Sequence, residues 1–372
     1  MKNPFVTSGY AGAEYFCDRV QETQQLTKFL TNGNNVVLMS PRRLGKTGLL
    51  HHCFAQDSIQ AEYNTFIIDI YSTKNLNDLV REIGKIVLNS LKSKGRKAIE
   101  KFLNVVSSLK PGITFDIMGN ATWNLETGII HSAEFTLDQI FDYLQASDRP
   151  CIVAIDEFQQ IMYYPEKNVE ATLRTYIQRC TNAVFVFSGS ERHLLSEMFH
   201  SPSRPFYAST STLPLEAIPV EKYSEFAVRL FEEAGMMLQQ GIVESVYEQF
   251  EGVTWFIQKV MNQLFSNCEK GDVCTVDMVS DAINQIVSDN SVIYADLLYQ
   301  LSTRQKELLL AISREGKAKA ITGSRFIKKH HLGSASTIQT AIKSLVDGQL
   351  VTRQQDTYEV YDKFFAMWLN RI

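Results

Sequence analysis

The segment Ser40-Pro41-Arg42-Arg43-Leu44-Gly45-Lys46-Thr47 constrains this chain more than any other. It follows a compact apolar run, Asn35–Met39 (NVVLM), and precedes a helical pattern over Lys46–Gln56. Strand, loop and helix in that order put a ring of backbone N–H groups and a helix N-terminus behind one anion. A Lys at the loop's end reaches terminal phosphates, and the next hydroxyl reaches a Mg²⁺ ion. Gly45, Lys46 and Thr47 supply those parts, and Gly48 continues the turn into the helix. Residues 40–48 are therefore the expected phosphate cradle, with ATP or ADP as ligand. The pattern GxxxxGK[ST] fails at one position, where Ser40 replaces the first Gly. Arg42 and Arg43 face either phosphate or a neighbouring acidic surface.

Three further apolar runs follow: Thr65–Tyr71, Cys151–Asp156 and Ala183–Ser188. Each is short, rich in Val, Ile and Phe, and lacks alternation, as strands buried on both faces of a parallel sheet do. Helical patterns over Asn75–Ser93, Thr136–Gln145 and Val169–Cys180 separate them. The expected fold is α/β, with a parallel sheet covered by helices on both faces. Residues 94–135 interrupt the rhythm, and Ile113–Ile117 and Ala121–Leu125 around Met-Gly-Asn predict an inserted hairpin. Four prolines in 201–220 close the sheet domain. Helical patterns at Glu221–Ala234, Gly241–Phe250, Trp255–Cys268 and Val276–Ser288 form a small helical domain. Helices at Thr303–Arg314, Gly323–His331 and Ser334–Val346, followed by short strands at Val351–Arg353 and Thr357–Tyr361, make a winged helix-turn-helix with a two-stranded wing. The division is a sheet domain over 1–215, a helical lid over 216–300 and a winged helix over 301–372.

The run Cys151-Ile152-Val153-Ala154-Ile155 ends in Asp156 and Glu157. At that place behind a phosphate loop, Asp156 joins Thr47 as a Mg²⁺-holding residue. Glu157 is the general base for an attacking water. The next strand ends in Ser188-Gly189-Ser190. Ser190 is the first choice, and Ser188 the second, for a hydroxyl that senses the terminal phosphate. With Lys46 neutralising phosphate charge, the catalytic set is Lys46, Glu157 and Ser190.

Charge divides along the chain. Residues 301–372 hold 12 Lys/Arg against 6 Asp/Glu, and residues 1–300 hold 25 against 35. A basic end favours an anionic partner or is a solvated surface. In a helix-turn-helix the recognition helix would be Ser334–Val346, offering Ser336, Thr337, Gln339, Thr340 and Lys343, with Lys328, Lys329, His330 and His331 before it as backbone contacts. DNA contact through residues 323–353 and contact with a protein partner both remain open. Six scattered cysteines form no CxxC pair and fit a reduced cytoplasm, although Cys268 and Cys274 could pair in principle. No run is long enough to cross a membrane, and the first residues carry no secretory leader.

Several segments together resemble the STAND-type P-loop ATPases, close to AAA+, and specifically the archaeal and bacterial ATPase family with a C-terminal winged helix. They are Phe16-Cys17-Asp18-Arg19 with Glu22, SPRRLGKT, IVAIDEFQ, FVFSGSERHLL, Arg204-Pro205-Phe206-Tyr207, Phe250-Glu251-Gly252-Val253-Thr254-Trp255 and the closing Val360–Leu369. The resemblance implies a five-stranded core, a helical lid and a winged helix. It implies an ATP-binding, ATP-hydrolysing switch that couples nucleotide state to a protein or DNA partner. The alternatives are a nucleotide-gated regulator or adaptor with little turnover, and a small-molecule kinase, for which no acceptor motif is present. The chain departs from the family at Ser209, where an Arg is usual. It departs again at Thr254, where the lid's Gly-x-Pro turn loses its Pro, and at Asp362-Lys363, where Asp-Pro is usual. An arginine finger would then come from Arg204 or from another chain.

Overall fold

The computed structural model describes residues 2–92, 95–115, 121–123 and 132–372. They form two compact units, residues 8–219 and residues 2–7 with 220–372.

In the first unit, five parallel strands make one sheet: β1 (Val36–Met39), β2 (Asn64–Asp69), β3 (Cys151–Asp156), β4 (Ala183–Gly189) and β5 (Ser211–Pro214). Their order is β2-β3-β4-β1-β5. The lack of alternation in the first four runs has a direct cause. Val37, Met39, Phe66, Ile68, Val153, Ile155, Phe185 and Phe187 pack into a core on one face. Val36, Leu38, Ile152, Ala154 and Val186 pack into a second core on the other. Both faces are covered, so both sets must be apolar. Helices Leu76–Lys92, Ala133–Gln145 and Val169–Arg179 line the first core, and Val20–Thr31 and Lys46–Phe54 the second.

The strand β5 has no counterpart among the runs picked out by residue type. It lies in the Pro-rich stretch that reads as a boundary. It pairs on one side only, with β1 from Val36↔Ser211 to Met39↔Pro214. An edge position is where a strand tolerates a proline. The inserted hairpin is present as Ile113–Phe115 paired antiparallel with Ala121–Trp123. Its expected turn, residues 118–120, lies outside the described residues.

The second unit opens with helices Val220–Glu233, Ile242–Gln249, Thr254–Asn267, Val276–Asp289 and Ser291–Tyr299. A winged helix follows, with helices Thr303–Glu315, Ser324–Lys329 and Ala335–Asp347. Ser302 and Gln305 close a capping box on the first, and Ser334 caps the third by accepting from Thr337 N–H. The wing is a three-stranded sheet, not a two-stranded one. Ala318–Lys319 pairs with Thr357–Val360, which also pairs with Val351–Gln354. Two residues carry no periodicity, so this extra strand has no sequence signal.

The closing helix, Lys363–Leu369, explains one family departure. Asp362 caps it, accepting from Phe364 and Phe365 N–H. An Asp-Pro pair is a cap followed by a residue that suits the first helical position. Here the cap is kept and Lys363 takes that first position. Its ammonium donates to Glu251 at 3.1 Å and to Glu359. Lys317 donates to the other Glu251 oxygen at 2.6 Å. Phe364 packs on Phe250 and Phe256. Partial burial would raise the Glu251 carboxyl, but hydrogen bonds and charge from Lys317 and Lys363 more than offset it. The pKa lies below the ordinary 4.5. A depressed carboxylate stabilises fully above its ordinary value and loses that contribution as pH falls through the depressed one. Glu251 is 43% exposed, so screening limits its worth. Glu251→Gln is expected to cost no more than about 1 kcal/mol at neutral pH. Denaturation curves of variant and wild type should converge as pH falls below 4.5.

Candidate functional site

The β1 strand ends at Met39, and the chain turns through residues 40–45 into the helix Lys46–Phe54. Ser40 is fully buried, and its hydroxyl donates to Pro41 O at 2.8 Å. Ser40 is not in the left-handed region. Positive φ falls instead on Arg43 (66°) and Gly45 (94°). This is why Ser is tolerated where the motif has Gly. Gly45 sits at the helix N-cap with φ that other residues rarely adopt. Gly48 lies against Phe16, whose ring would be 3.3 Å from an added Cβ.

Lys46 is 6% exposed. Its ammonium donates to Pro41 O at 3.1 Å and Ser40 O at 3.4 Å, so the loop curls around the cation. Burial lowers its pKa from 10.5. The charges of Glu157 and Asp156 oppose this, and Arg42 adds to it. Thr47, exposed at the loop's mouth, donates its hydroxyl to Asp156 Oδ2 at 2.6 Å.

Asp156 closes β3 and is 5% exposed. Its other oxygen accepts from the Ser188 hydroxyl at 2.6 Å and from Glu157 N–H at 3.1 Å. Glu157 follows in left-handed backbone, φ 56°. Such backbone at a non-Gly residue costs on the order of 1 kcal/mol and aims the side chain off the strand. Glu157 Oε2 accepts from the Ser190 hydroxyl at 2.6 Å, Ser190 N–H at 3.2 Å and Gln159 Nε2 at 2.6 Å. Ser190 Oγ in turn accepts from Arg42 Nε at 2.8 Å.

Lys46, Thr47, Asp156, Glu157 and Ser190 are thus brought together by the ends of β1, β3 and β4. The two serines divide the carboxylates. Ser188, inside β4, serves Asp156, and Ser190, just past the strand's end, serves Glu157. Arg42 turns inward to Ser190. Pro41 offers its carbonyl to Lys46, and Leu44 is buried below the loop. Arg204 forms ion pairs with Glu170 (3.6 Å) and Glu197 (3.4 Å) within its own unit. Ser209, where the family has Arg, donates its hydroxyl to Phe206 O. Trp255 gives its indole N–H to Thr7 O and packs edge-on to Phe364.

Three residues of the site have no assigned role in the sequence reading. Asp69 closes β2 and pairs in register with Asp156. Desolvation raises its pKa, with Asp156, Glu157 and Glu82 adding to the rise and a hydrogen bond from Tyr71 N–H opposing it. Its signal is a lone charge inside TFIIDIY. Gln159 lies two residues past Glu157 and is 2% exposed. Arg19 is 3% exposed, with φ 66°. Its guanidinium pairs with Glu22 at 2.7 Å and donates to Leu44 O at 3.1 Å and Glu216 O at 2.7 Å. One planar fork therefore ties the phosphate loop to the segment after β5. Arg19→Ala is expected to cost about 2–4 kcal/mol, because two carbonyls and a carboxylate lose their donor. Arg19→Lys should recover less than half of that, since an ammonium does not reproduce the fork. Chemical denaturation of the three proteins checks both values.

Residues 16–260 match a family described as "ATPase domain predominantly from Archaea". Residues 292–371 match one described as "Probable winged helix domain". No curated protein matches the chain in sequence. Among solved structures, the chain is similar to the Walker-type ATPase of Pyrococcus abyssi, at 18% identity and a TM-score of 0.65, over 99% of this chain and 100% of that one. It is similar to the ORC2 protein of Aeropyrum pernix in ADPNP–ADP complexes, at 14% identity and a TM-score of 0.61, over 100% and 97%. It is also similar to the ORC1 protein of Aeropyrum pernix in complex with DNA, at 13% identity and a TM-score of 0.54, over 96% and 93%. At these identities the likeness is one of fold.

Proposed function

Because this chain belongs to the family of ATPase domains found predominantly in Archaea, we propose that it binds ATP with Mg²⁺ at residues 40–48, hydrolyses it, and works as a switch of the STAND/AAA+ kind. One observation carries the reading: the Thr47 hydroxyl and the Asp156 carboxylate lie 2.6 Å apart beside the buried ammonium of Lys46. Two hard oxygen donors beside a cation fit a Mg²⁺ ion, which usually takes one or two protein oxygens and completes its shell with phosphate and water. Among the described residues no three His, Cys, Asp or Glu converge on a metal site, consistent with an ion that arrives with the nucleotide. When bound, Mg²⁺ neutralises charge on the terminal phosphates. Lys46 exchanges its two carbonyl partners for phosphate oxygens, Thr47 and Asp156 hold the ion, and Glu157 takes the proton of the attacking water. The solved ORC2 protein with ADPNP and ADP shows that a chain of this fold binds adenine nucleotides.

In this reading residues 1–215 form the nucleotide core, 216–300 the lid and 301–372 the winged helix, and nucleotide state governs a partner's access. Five of the six cysteines are buried, and the reading places the protein in the cytoplasm. The test is calorimetric ATP binding with and without Mg²⁺, alongside steady-state phosphate release by the purified full chain. Mg²⁺-dependent binding with turnover supports the proposal, and no binding at millimolar ATP sinks it.

A DNA partner is favoured by one feature of the winged helix. Ser336, Gln339, Thr340 and Lys343 are exposed at helical spacing on Ala335–Asp347, and such side chains read base edges and phosphate. The hydroxyls of Ser336 and Thr337 both lie 2.9 Å from Ser334 Oγ, and Thr340 donates its hydroxyl to Ser336 O at 3.2 Å, so a base contact through these three would exchange a local hydrogen bond. Lys329 and His330 are held by Glu315 at 2.5 and 2.8 Å. A salt-titrated gel shift separates DNA from a protein partner, since phosphate contacts weaken steeply with salt.

A further inference from the structure

Gln159 stands in the turn Phe158–Tyr163, directly after the two carboxylates. Its Nε2 donates to Glu157 Oε2 at 2.6 Å. Its Oε1 is buried and has no hydrogen-bond partner. A buried acceptor without a donor is destabilising. Flipping the amide would relieve nothing, because it would set a carbonyl oxygen against the carboxylate and bury the NH₂ instead.

The neighbouring strand has made room for this amide. A Cβ on Gly189 would fall 1.9 Å from Gln159 Oε1, 3.1 Å from Gln159 Cδ and 3.2 Å from Leu195 Cδ1. Gly189 has no positive φ, so the backbone does not demand glycine there and the space does. Two positions on different elements are thus committed to one unfavourably placed amide. Side chains held at a cost in stability cluster where geometry serves chemistry.

We infer that Gln159 is a positioning residue for Glu157. With Ser190 it places three donors on one oxygen, Oε2. Among the described residues none donates to Oε1, so the clamp fixes the carboxylate's rotation and presents Oε1 as the oxygen that takes the water's proton. The inference rests on the proposed ATP hydrolysis at this site. It assigns Gln159 no contact with nucleotide or water.

Gln159→Leu removes the donor and the orphaned acceptor together at similar volume. Its kcat for ATP should fall by about 10- to 100-fold, as small misplacements of a catalytic group do. KM and the thermal shift given by ATP should stay within about twofold, and the denaturation midpoint should not drop. A residue that merely holds the fold would show the reverse. On a Glu157→Gln background, single-turnover rates should show no further loss from Gln159→Leu, because the clamp then has no base to aim. Gly189→Ala, which drives the amide away from its place, should lose kcat to the same degree while lowering stability. Wild-type kcat in either Gln159→Leu or Gly189→Ala overturns the inference and leaves the ATPase reading intact. Losses that multiply with Glu157→Gln also overturn it. A wild-type protein that releases no phosphate overturns the ATPase reading and this inference with it.

Discussion

Glu157→Gln is expected to bind ATP as tightly as the wild type and to hydrolyse it about 10²–10⁴ times more slowly, the usual worth of a positioned general base. The geometry separates the two effects. Glu157 touches neither Lys46 nor Thr47. It is held by Ser190 and Gln159, and an amide oxygen at the same place still accepts both. The left-handed backbone at position 157 (φ 56°) suits Gln no worse than Glu. Stability should therefore change little while proton transfer to the side chain is lost. Single-turnover phosphate release and calorimetric binding on the same preparation check the pair of outcomes. A variant that turns over like the wild type would remove Glu157 from the chemistry. The trapped complex is also the right bait for a partner that recognises the ATP state.

Lys46→Ala should have the opposite signature. Charge-assisted contacts are worth about 1.5–3 kcal/mol each, so losing the ammonium should weaken ATP binding by roughly 10- to 150-fold. Without nucleotide the variant should lose little stability, because burial already disfavours the wild-type cation and its partners are two carbonyls at 3.1 and 3.4 Å. A lysine whose pKa is lowered on folding binds fewer protons folded than unfolded as pH approaches its ordinary value. Stability then rises with pH through that window. Wild-type stability should accordingly gain on Lys46→Ala as pH climbs from the depressed value toward 10.5. Nucleotide dissociation constants at neutral pH, with unfolding curves at neutral and alkaline pH, test both halves. A variant with unchanged ATP affinity would rule out the cradle at residues 40–48.

The convergence of residues at the strand ends is legible locally, whatever role each plays. Lys46, Thr47, Asp156 and Glu157 are named by motifs whose chemistry is written in consecutive residues next to strands. The four central strands are legible because burial on two faces leaves continuous apolar runs. The strand Ser211–Pro214 is not, because an edge position relaxes the demand for apolar residues and admits Pro214. The three-stranded wing is missed for a similar reason, since its extra strand, Ala318–Lys319, is two residues long.

Sequence alone determined the loop, the acid strand and the alternation of strands and helices, because each depends on neighbours within a few residues. Only the tertiary structure decided which serine meets which carboxylate, since that depends on the parallel register of β3 and β4. Only it showed Arg19 reaching Leu44 and Glu216, contacts that join residues 25 and 197 positions apart. The role of Gly189 could not be read from its neighbours either. It is a glycine because Gln159, from another strand's end, occupies the space its side chain would need.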